Sequence, residues 1–315
     1  MHGLIGLDWG TSSLRAFRFD GAGALVETRA RPWGIRQLPD GGYDAALAGI
    51  TTGWPALPRL ACGMVGSRGG WREMPYLDLP ADAVQLGRAL GHLRAADGRD
   101  VHLVPGLRDP HGPDVMRGEE TQLLGALALR PALADACTFI QPGTHSKWTV
   151  VRDGAVRSFR TLMTGELFAA LRQHSILGAT GAATVDDIEA FERGAAAARD
   201  SGAAGALSRL FSTRALMLDG VLAPASVPDY LSGLLIGEEF RTALADGLAR
   251  RDTPLQLIGE AALCARYRRA AALFDIELPP AIADAAARGL WLLATQAGLV
   301  PPGPIPSVSE TTPAC

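Results

Sequence analysis

The chain carries the same short segment twice, and this repeat constrains the fold more than any other feature. Gly143 follows Gly10 by 133 residues, and at that spacing six of thirteen consecutive positions, 10–22 and 143–155, are identical. The identical pairs are Gly10 and Gly143, Thr11 and Thr144, Ser13 and Ser146, Asp20 and Asp153, Gly21 and Gly154, and Ala22 and Ala155. Self-similarity at a fixed spacing indicates repeated structural units. We therefore predict an internal duplication in which each half carries a G-T-x-S turn followed by a hairpin.

The apolar pattern predicts the same order of elements in the two halves. Three strands open each half: Leu4–Asp8, Leu14–Phe19 and Leu25–Arg29 in the first, and Thr138–Ile140, Lys147–Arg152 and Phe159–Met163 in the second. Helices and crossover strands follow, including a helix over Val115–Leu129 and a last short strand over Phe274–Leu278. Each half is therefore expected to be βββαβα, with further elements in places, which indicates an α/β protein with mixed sheets.

Composition excludes several classes of protein. The 315 residues, 48% hydrophobic and 20% charged, suggest two globular domains. A net charge of −3 gives no basic face for nucleic acid and no polybasic patch for a membrane surface. The four cysteines lie far apart, which argues against a zinc site or a disulfide framework.

The chain ends support a cytoplasmic assignment. The start, MHGLIGLDWG, has no basic region of the kind that opens a signal peptide. No stretch approaches the roughly 20 apolar residues that span a bilayer. We expect a cytoplasmic protein with reduced thiols, a flexible tail over 301–315, and no membrane partner; a homodimer stays open.

The first repeated turn, D-W-G-T-S-S, has the composition of an anion-binding turn. Backbone N–H groups and hydroxyls of Gly10, Thr11 and Ser12 can face phosphate oxygens. Asp8, at the end of the strand, can hold Mg²⁺ through water, because Mg²⁺ binds few carboxylates and keeps part of its hydration shell. An ordinary glycine-containing hairpin turn is the alternative.

The second turn, P-G-T-H-S-K-W, strengthens the phosphate hypothesis. Gly143, Thr144 and His145 occupy the matching positions, and Lys147 adds a cation suited to phosphate oxygens. Two such turns facing one another across a cleft would bind a polyphosphate from both sides. The alternatives are a solvated strand-edge lysine for Lys147 and a hydrogen-bonded turn residue for His145.

Two further segments are candidates for the site. In R-G-E-E, Glu119 and Glu120 follow Gly118 at a predicted helix start, where a carboxylate can act as a general base and Arg117 can pair with an anion. Favourable interaction with the helix dipole is the simpler explanation for these acids. In L-I-G-E, Gly259 ends a strand and would let a flat ring approach the backbone.

These segments resemble a known family. The motifs are D-W-G-T-S-S-L-R, A-C-G-M-V-G-S, V-M-R-G-E-E-T-Q-L-L-G, P-G-T-H-S-K-W, L-M-T-G-E-L and L-S-G-L-L-I-G-E, which run in order over most of the chain. Together they resemble the 2-dehydro-3-deoxygalactonokinase family, within the sugar kinase, Hsp70 and actin superfamily. The D-W-G-T turn is generic to that superfamily, whereas G-M-V-G-S, R-G-E-E-T-Q and P-G-T-H-S-K-W together are specific to this kinase group.

The resemblance implies an architecture. It predicts two RNase H-like (actin-like ATPase) domains, each a mixed five-stranded sheet with flanking helices, with the nucleotide in the cleft between them. We expect residues 1–134 to bind sugar and phosphate and residues 135–300 to bind nucleotide. A helical insertion is expected at about 183–225.

The resemblance also implies a reaction. It predicts transfer of the γ-phosphate of ATP, with Mg²⁺, to the 6-hydroxyl of 2-dehydro-3-deoxy-D-galactonate in galactonate breakdown. The similar G-x-E-E segment of exopolyphosphatases places a catalytic glutamate at Glu119, with Glu120 and Asp114 as alternatives. No charge pattern distinguishes the galacto from the gluco epimer.

The carboxylate of such a substrate lies away from the reacting hydroxyl and needs its own site. The backbone N–H groups of the loop Gly63, Met64, Val65, Gly66 and Ser67 can bind it, and Arg15 and Arg117 are the candidate cations. For Arg15, packing of its stem on the sheet is the alternative.

Two other functions stay open on this scaffold. A phosphatase would use the G-x-E-E segment to activate water instead of a sugar hydroxyl. A nucleotide-dependent module would have no phosphoryl acceptor at all. The chain lacks the large peptide-binding domain of a chaperone and the basic channel expected for a long polyphosphate.

Overall fold

The computed structural model describes residues 3–178, 183, 185–250 and 252–301. The strands within these residues are β1 (Leu4–Trp9), β2 (Leu14–Phe19), β3 (Leu25–Arg31), β4 (Arg59–Gly63), β5 (Tyr76–Asp78), β6 (Gly91–Arg94), β7 (Asp100–Leu103), β8 (Gly106–Asp109), β9 (Asp114–Met116), β10 (Ala136–Gln141), β11 (Ser146–Arg152), β12 (Ala155–Leu162) and β13 (Leu255–Leu257). The helices of the same residues are α1 (Gly42–Ile50), α2 (Ala83–Arg88), α3 (Glu119–Leu129), α4 (Thr164–His174), α5 (Ile188–Arg199), α6 (Ser212–Leu218), α7 (Val227–Ala245), α8 (Ala261–Ala272) and α9 (Ala285–Gln296). None of these described helices has the length and apolar character that crossing a membrane requires.

The described chain divides into two compact units, here called the first and the second unit. The first unit contains residues 3–136, 151–158 and 283–301, and the second contains 137–150 and the described part of 159–282. The expected second domain, 135–300, differs from the observed second unit, because α9 and residues 151–158 belong to the first unit. The predicted helical insertion at about 183–225 contains α5 and α6. The predicted tail lies outside the described residues beyond Pro301.

The main sheet of the first unit, within the described residues, has six strands in the order β3-β2-β1-β4-β7-β6. Its strand β1 pairs antiparallel with β2 and parallel with β4. Leu4, Ile5 and Leu7 of β1 are fully buried, as expected for a central strand whose two faces are both covered. The carboxyl ends of β1 and β4 therefore lie side by side, with Trp9 opposite Gly63.

Two glycines allow α9 to pack closely against α3 in the first unit. A Cβ atom at Gly125 would come within 1.8 Å of the Ala285 carbonyl oxygen, and one at Gly289 within 1.8 Å of the Thr121 carbonyl oxygen. Backbone contact this close is open only to glycine. The C-terminal helix is thus part of the first unit's core.

The second unit repeats the strand order of the first. Its sheet, as far as the chain is described, is ordered β12-β11-β10-β13, which matches β3-β2-β1-β4, and β13 pairs parallel with β10 as β4 does with β1. The predicted internal duplication is therefore confirmed at the level of topology. The predicted five strands per sheet are wrong for the described residues, because β6 and β7 extend the first sheet to six strands. Among the described residues of the second unit, a single bridge between Ile258 and Ile282 follows β13.

The two repeated hairpins differ in their turns. In the second, Asp153 and Gly154 both have positive φ, 52° and 71°, as in a two-residue hairpin turn. In the first, the loop is longer, and the Asp20 carboxylate accepts hydrogen bonds from the N–H groups of Ala22 and Ala24, each at 2.9 Å. Identical D-G-A segments therefore form different turns.

Two predicted elements are wrong. The helix predicted over Val115–Leu129 begins only at Glu119, because residues 114–116 form β9 in a small sheet of the described chain, ordered β5-β8-β9. The strand predicted over Phe274–Leu278 is absent from the described residues, where this segment is irregular. Its Leu278 packs into the apolar core of the second unit instead.

Candidate active site

Asp8 lies near the end of β1 and faces a cation on the neighbouring strand. It is the register partner of Arg15 on β2, and the Arg15 guanidinium donates a hydrogen bond to its carboxylate. The Asp8 side chain is 14% exposed and that of Arg15 is 47% exposed. No group of three or more metal-ligating side chains occurs among the described residues. Any metal at Asp8 would therefore need ligands from water or a bound molecule.

The turn at Gly10–Ser12 is held by a second segment. The Gly10 N–H donates to the Ser13 carbonyl at 2.9 Å, and the Gly10 carbonyl accepts from the Ile35 N–H at 3.1 Å. A Cβ atom at Gly34 would come within 2.3 Å of the Thr11 carbonyl oxygen. Gly34, in the segment W-G-I-R, is not among the site residues predicted from the sequence.

Gly63 and Gly118 bring three segments of the first unit together. Both have positive φ, 90° and 106°. A Cβ atom at Gly63 would lie 2.8 Å from the Trp9 carbonyl oxygen, and one at Gly118 would lie 3.2 Å from the Cα atom of Gly63. The end of β1, the end of β4 and the start of α3 therefore converge here.

The buried thiol of Cys62 lies between Asp8 and the start of α3 and is affected by the charges of both segments. Its Sγ atom lies 4.0 Å from Asp8 Oδ1. Burial, and after it the negative charges of Asp8 and Glu120, raises the pKa of the Cys62 thiol well above its ordinary value. The sequence-predicted Asp8 and the R-G-E-E segment are thus close neighbours.

Glu120 is a buried carboxyl group bonded within its own turn. It is completely buried and accepts hydrogen bonds from the Gly118 N–H at 2.6 Å and the Thr121 hydroxyl at 3.0 Å. Burial, and secondarily the charge of Glu119, raises the pKa of Glu120 to about 8. Near neutral pH this carboxyl group is therefore mostly protonated.

Glu119 has a different environment. It is partly exposed, and its carboxylate accepts a hydrogen bond from the Arg117 N–H at 3.0 Å. The alternative Asp114 lies in β9, where its carboxylate accepts the N–H of Val115 at 2.8 Å. Of the two glutamates, Glu119 is the one that solvent or a substrate can reach.

Arg117 is a buried cation with unused donors. Its Nη2 atom donates to the Met74 carbonyl at 2.8 Å, and its guanidinium carbon lies 4.5 Å from the centre of the Tyr76 ring. Its Nε and Nη1 atoms are buried and have no hydrogen-bond partner in the described part of the chain. Unsatisfied buried donors are rare, and such a group can accept an anionic ligand.

The loop predicted to bind the carboxylate begins with a 3₁₀ turn, Met64–Gly66. The N–H and the hydroxyl of Ser67 both donate to the Met64 carbonyl, at 3.0 and 2.7 Å. Val65 and Gly66 are buried, and a Cβ atom at Gly66 would lie 3.0 Å from Arg117 Nη1. The loop therefore packs against Arg117. The two hydrogen-bond donors of Ser67 are both used within the loop.

In the second unit, the repeated turn packs against the start of α4. A Cβ atom at Gly165 would come within 2.5 Å of the Gly143 carbonyl oxygen. The Glu166 N–H donates to the Thr144 carbonyl at 3.0 Å, and the Glu166 carboxylate contacts His145 Nε2 at 2.5 Å. The motifs P-G-T-H-S-K-W and L-M-T-G-E-L thus form one structure.

Lys147 is not a solvated strand-edge residue. Its side chain is 5% exposed, and its ammonium group donates a hydrogen bond to the Thr161 hydroxyl on β12 at 2.6 Å. Gly259 lies beside this turn, since a Cβ atom there would be 3.6 Å from Pro142 and 3.3 Å from Cys264. The structure places both residues near the turn.

A cavity of about 630 Å³ opens next to the turn, within the second unit. Its polar walls include Gly143, Thr144, Thr164, Gly165, Asp229 and Arg266, and its apolar walls include Leu235, Ile236 and Leu263. The volume is typical of a small-molecule site. Gly259 and Lys147 are not among its lining residues.

Glu239 is not among the site residues predicted from the sequence. It lies in α7, is 1% exposed, and accepts hydrogen bonds from four side chains: Ser146, Trp148, Thr164 and Tyr267. Burial raises its pKa, although those hydrogen bonds act in the opposite direction. The signal in the sequence was a pair of acids inside the apolar run L-S-G-L-L-I-G-E-E-F.

Comparison with known proteins identifies the family. A family model described as 2-keto-3-deoxy-galactonokinase matches residues 8–293. The chain is 37% identical over 270 residues to the 2-dehydro-3-deoxygalactonokinase of Escherichia coli (strain K12), covering 84% of this chain and 88% of that protein.

Solved structures agree. A crystal structure from Sinorhizobium meliloti, described as that of a 2-dehydro-3-deoxygalactonokinase protein, aligns with a TM-score of 0.83 and 35% identity, covering 93% of this chain and 98% of that one. The dehydratase activator of Clostridium difficile with bound ADPNP aligns at a TM-score of 0.51 and 12% identity, over 94% of this chain and 96% of that one, which shows the fold alone. The chain therefore belongs to the 2-keto-3-deoxy-galactonokinase family and has the actin-like ATPase fold of sugar kinases.

Proposed function

We propose that this kinase transfers the γ-phosphoryl group of ATP to the 6-hydroxyl of 2-dehydro-3-deoxy-D-galactonate. Family membership carries the reaction class. One observation supports the nucleotide half best: the Gly143–Thr144 turn packs against the start of α4 in the wall of a nucleotide-sized cavity. No observation favours a phosphatase or a module without an acceptor.

The second unit is the proposed nucleotide-binding half. The start of α4 carries the positive end of the helix dipole, which favours phosphate, and Gly143 and Thr144 lie directly beside it. Leu235, Ile236 and Leu263 offer apolar walls for the base. The residues present therefore fit ATP as a substrate.

The first unit is the proposed half for the sugar acid, the metal and the transferred phosphate. Asp8 is the carboxylate assigned to Mg²⁺, which requires only one or two protein carboxylates when phosphates and water complete its shell. The metal would supply charge neutralisation on the phosphates. Gly10, Thr11 and Ser12 are the proposed phosphate contacts of this half.

Arg117 is the proposed anchor for the carboxylate of the sugar acid. Its unpartnered Nε and Nη1 atoms leave N–H donors on two edges of the guanidinium, each of which can hydrogen-bond to a carboxylate oxygen. Arg15 is the weaker candidate, because its guanidinium already pairs with Asp8.

Glu119 is the proposed general base. It is partly exposed next to the segment where β1 and β4 end, whereas Glu120 is buried and mostly protonated. In a loose phosphoryl-transfer transition state the proton leaves late, so the carboxylate mainly orients the hydroxyl.

The test is ADP release measured with and without a panel of 2-keto-3-deoxy sugar acids. We expect ADP formation that depends on the sugar acid and a product phosphorylated at the primary hydroxyl, identified by ³¹P NMR. Phosphate release that is independent of the acid would support a phosphatase instead. Nucleotide binding without turnover on any sugar acid would contradict the proposal.

A further inference from the structure

Glu239 connects three elements of the second unit through one buried carboxylate. Oxygen Oε1 accepts from Ser146 Oγ at 2.6 Å and from Trp148 Nε1 at 2.7 Å, both on β11. Oxygen Oε2 accepts from Thr164 Oγ1 at 2.5 Å, at the start of α4, and from the Tyr267 hydroxyl at 2.7 Å, on α8. All four donors are neutral.

Burying a carboxyl group at this position costs desolvation free energy. The described chain contains no Lys, Arg or His within ion-pair distance of Glu239, so hydrogen bonds alone offset the cost of burying its carboxyl group. An apolar side chain would fill the volume at a lower desolvation cost. What the carboxylate adds is orientation, because each of its four partners is fixed in direction as well as in distance.

The fixed partners border the proposed phosphate site. Ser146 is the first residue of β11, directly after the turn at Gly143–His145. Thr164 is the first residue of α4, and the next residue, Gly165, is the one that touches the backbone of Gly143. Both sides of the contact between turn and helix are therefore tied to one carboxylate.

We propose that Glu239 is a positioning residue for ATP, which holds the Gly143–Thr144 turn and the start of α4 at the separation that the phosphates require. It acts through Ser146 and Thr164 and does not itself contact the nucleotide. Tyr267, its fourth partner, lines the same cavity and is fixed by the same group. The inference rests on the proposed placement of ATP in the second unit.

The experiment compares Glu239→Gln with Glu238→Gln. Glu238 is the adjacent residue of α7, pairs with Arg241 near the surface, and is the matched control. We expect Glu239→Gln to raise KM for ATP about tenfold or more, because the amide cannot accept all four hydrogen bonds. KM for the sugar acid should stay within about twofold, and Glu238→Gln should leave both constants within the same range.

A direct binding measurement tests the effect on ATP affinity without relying on the phosphoryl-transfer step. Calorimetry with AMPPNP should show the same loss of affinity in Glu239→Gln. If that variant does not fold, Thr164→Val, which removes one donor and keeps the shape, should shift ATP affinity in the same direction by a smaller factor. Unchanged ATP affinity in folded Glu239→Gln or Thr164→Val, or equal losses for ATP and sugar acid, would overturn the proposal. A wild-type enzyme without turnover on sugar acids would instead count against the proposed function.

Discussion

At the residue scale, two adjacent glutamates have opposite chemistry because one helical step separates them. Glu120 points into the interior, where burial raises its pKa to about 8, whereas Glu119 remains partly exposed. Neighbours on a helix point about 100° apart, so only one can face a substrate. The fold thus selects one acid of the E-E pair for chemistry.

The first prediction separates their roles. We expect Glu119→Gln to lower kcat by about 10²-fold or more, with ATP affinity retained, because the variant cannot accept a proton. Glu120→Gln should stay near wild type, since an amide resembles the protonated carboxyl group already present. Steady-state kinetics of both variants and of Asp114→Asn checks this assignment. The reverse pattern would move the base to Glu120 or Asp114, and full activity in all three would exclude a base from this segment.

The second prediction concerns pH. Because the pKa of Glu120 rises from an ordinary 4.5 to about 8 in the folded protein, the folded state keeps a proton that the unfolded chain releases. The contribution of this group to the free energy of unfolding is fully present below about pH 4.5. It is lost as the pH rises from there through about 8. We expect the free energy of unfolding in urea to fall more steeply with rising pH in wild type than in Glu120→Gln. Parallel curves would show that Glu120 does not titrate this way.

The third prediction concerns the substrate carboxylate. Arg117→Ala should raise KM for the sugar acid by about 10-fold to 100-fold and raise it less for a neutral ester of that acid. Arg117→Lys keeps the charge but not the planar set of donors, and its KM should fall between those of wild type and Arg117→Ala. Arg108→Ala, which removes an exposed ion pair between β8 and β5, is the control. An unchanged KM in Arg117→Ala would place the carboxylate elsewhere.

At the element scale, the phosphate turn of the second unit is a composite of two segments. The turn after β10 supplies Gly143 and Thr144, and α4 supplies Gly165, which has room for no Cβ atom against the Gly143 carbonyl. Neither segment alone fixes the spacing, so the helix start belongs to the site as much as the turn does.

The fourth prediction tests this contact. Gly165→Ala places a Cβ atom 2.5 Å from the Gly143 carbonyl oxygen and must displace the backbone. We expect ATP affinity to fall about tenfold or more, because anion-binding groups lose their geometry, while affinity for the sugar acid changes little. Ala170→Ser, at an exposed position of the same helix, controls for general effects on α4. If Gly165→Ala binds ATP as tightly as wild type, the start of α4 is not part of the ATP site.

The repeat and the strands that carry it were predictable, because local patterns decide them. β2 has the bounds predicted from the alternation in Leu14–Phe19. The errors arise where distant segments meet: residues 114–116 became a strand because β8 pairs with them, which no local pattern reveals. For Lys147, the alternative of a solvated strand-edge residue is wrong because its ammonium group donates to the Thr161 hydroxyl on β12, which no local pattern reveals. Glu239 was missed for the same reason, since its donors lie up to 93 residues away.

At the scale of the whole molecule, the chain passes from the first unit to the second and returns to the first with its C-terminal helix. The duplication predicts two consecutive domains, yet the last helix, α9, packs in the first unit against α3 and beside β1. Leu290 of this helix lies against Gly6, and Trp291 lies 5.5 Å from the Phe19 ring. The first unit is complete only when the C-terminal segment has been added.

The last prediction follows from that return. Gly289→Ala places a Cβ atom 1.8 Å from the Thr121 carbonyl oxygen, so α9 must move away from α3. Overpacking of this kind costs about 1–3 kcal/mol of unfolding free energy. Hydrogen exchange followed by mass spectrometry should show faster exchange in β1, α3 and α9, with little change in β10, β11 and α7. Gln296→Ala, at an exposed position of the same helix, should leave all of these elements protected. Faster exchange confined to the second unit would instead mean that α9 stabilises that unit, as the two consecutive domains first expected from the sequence would require.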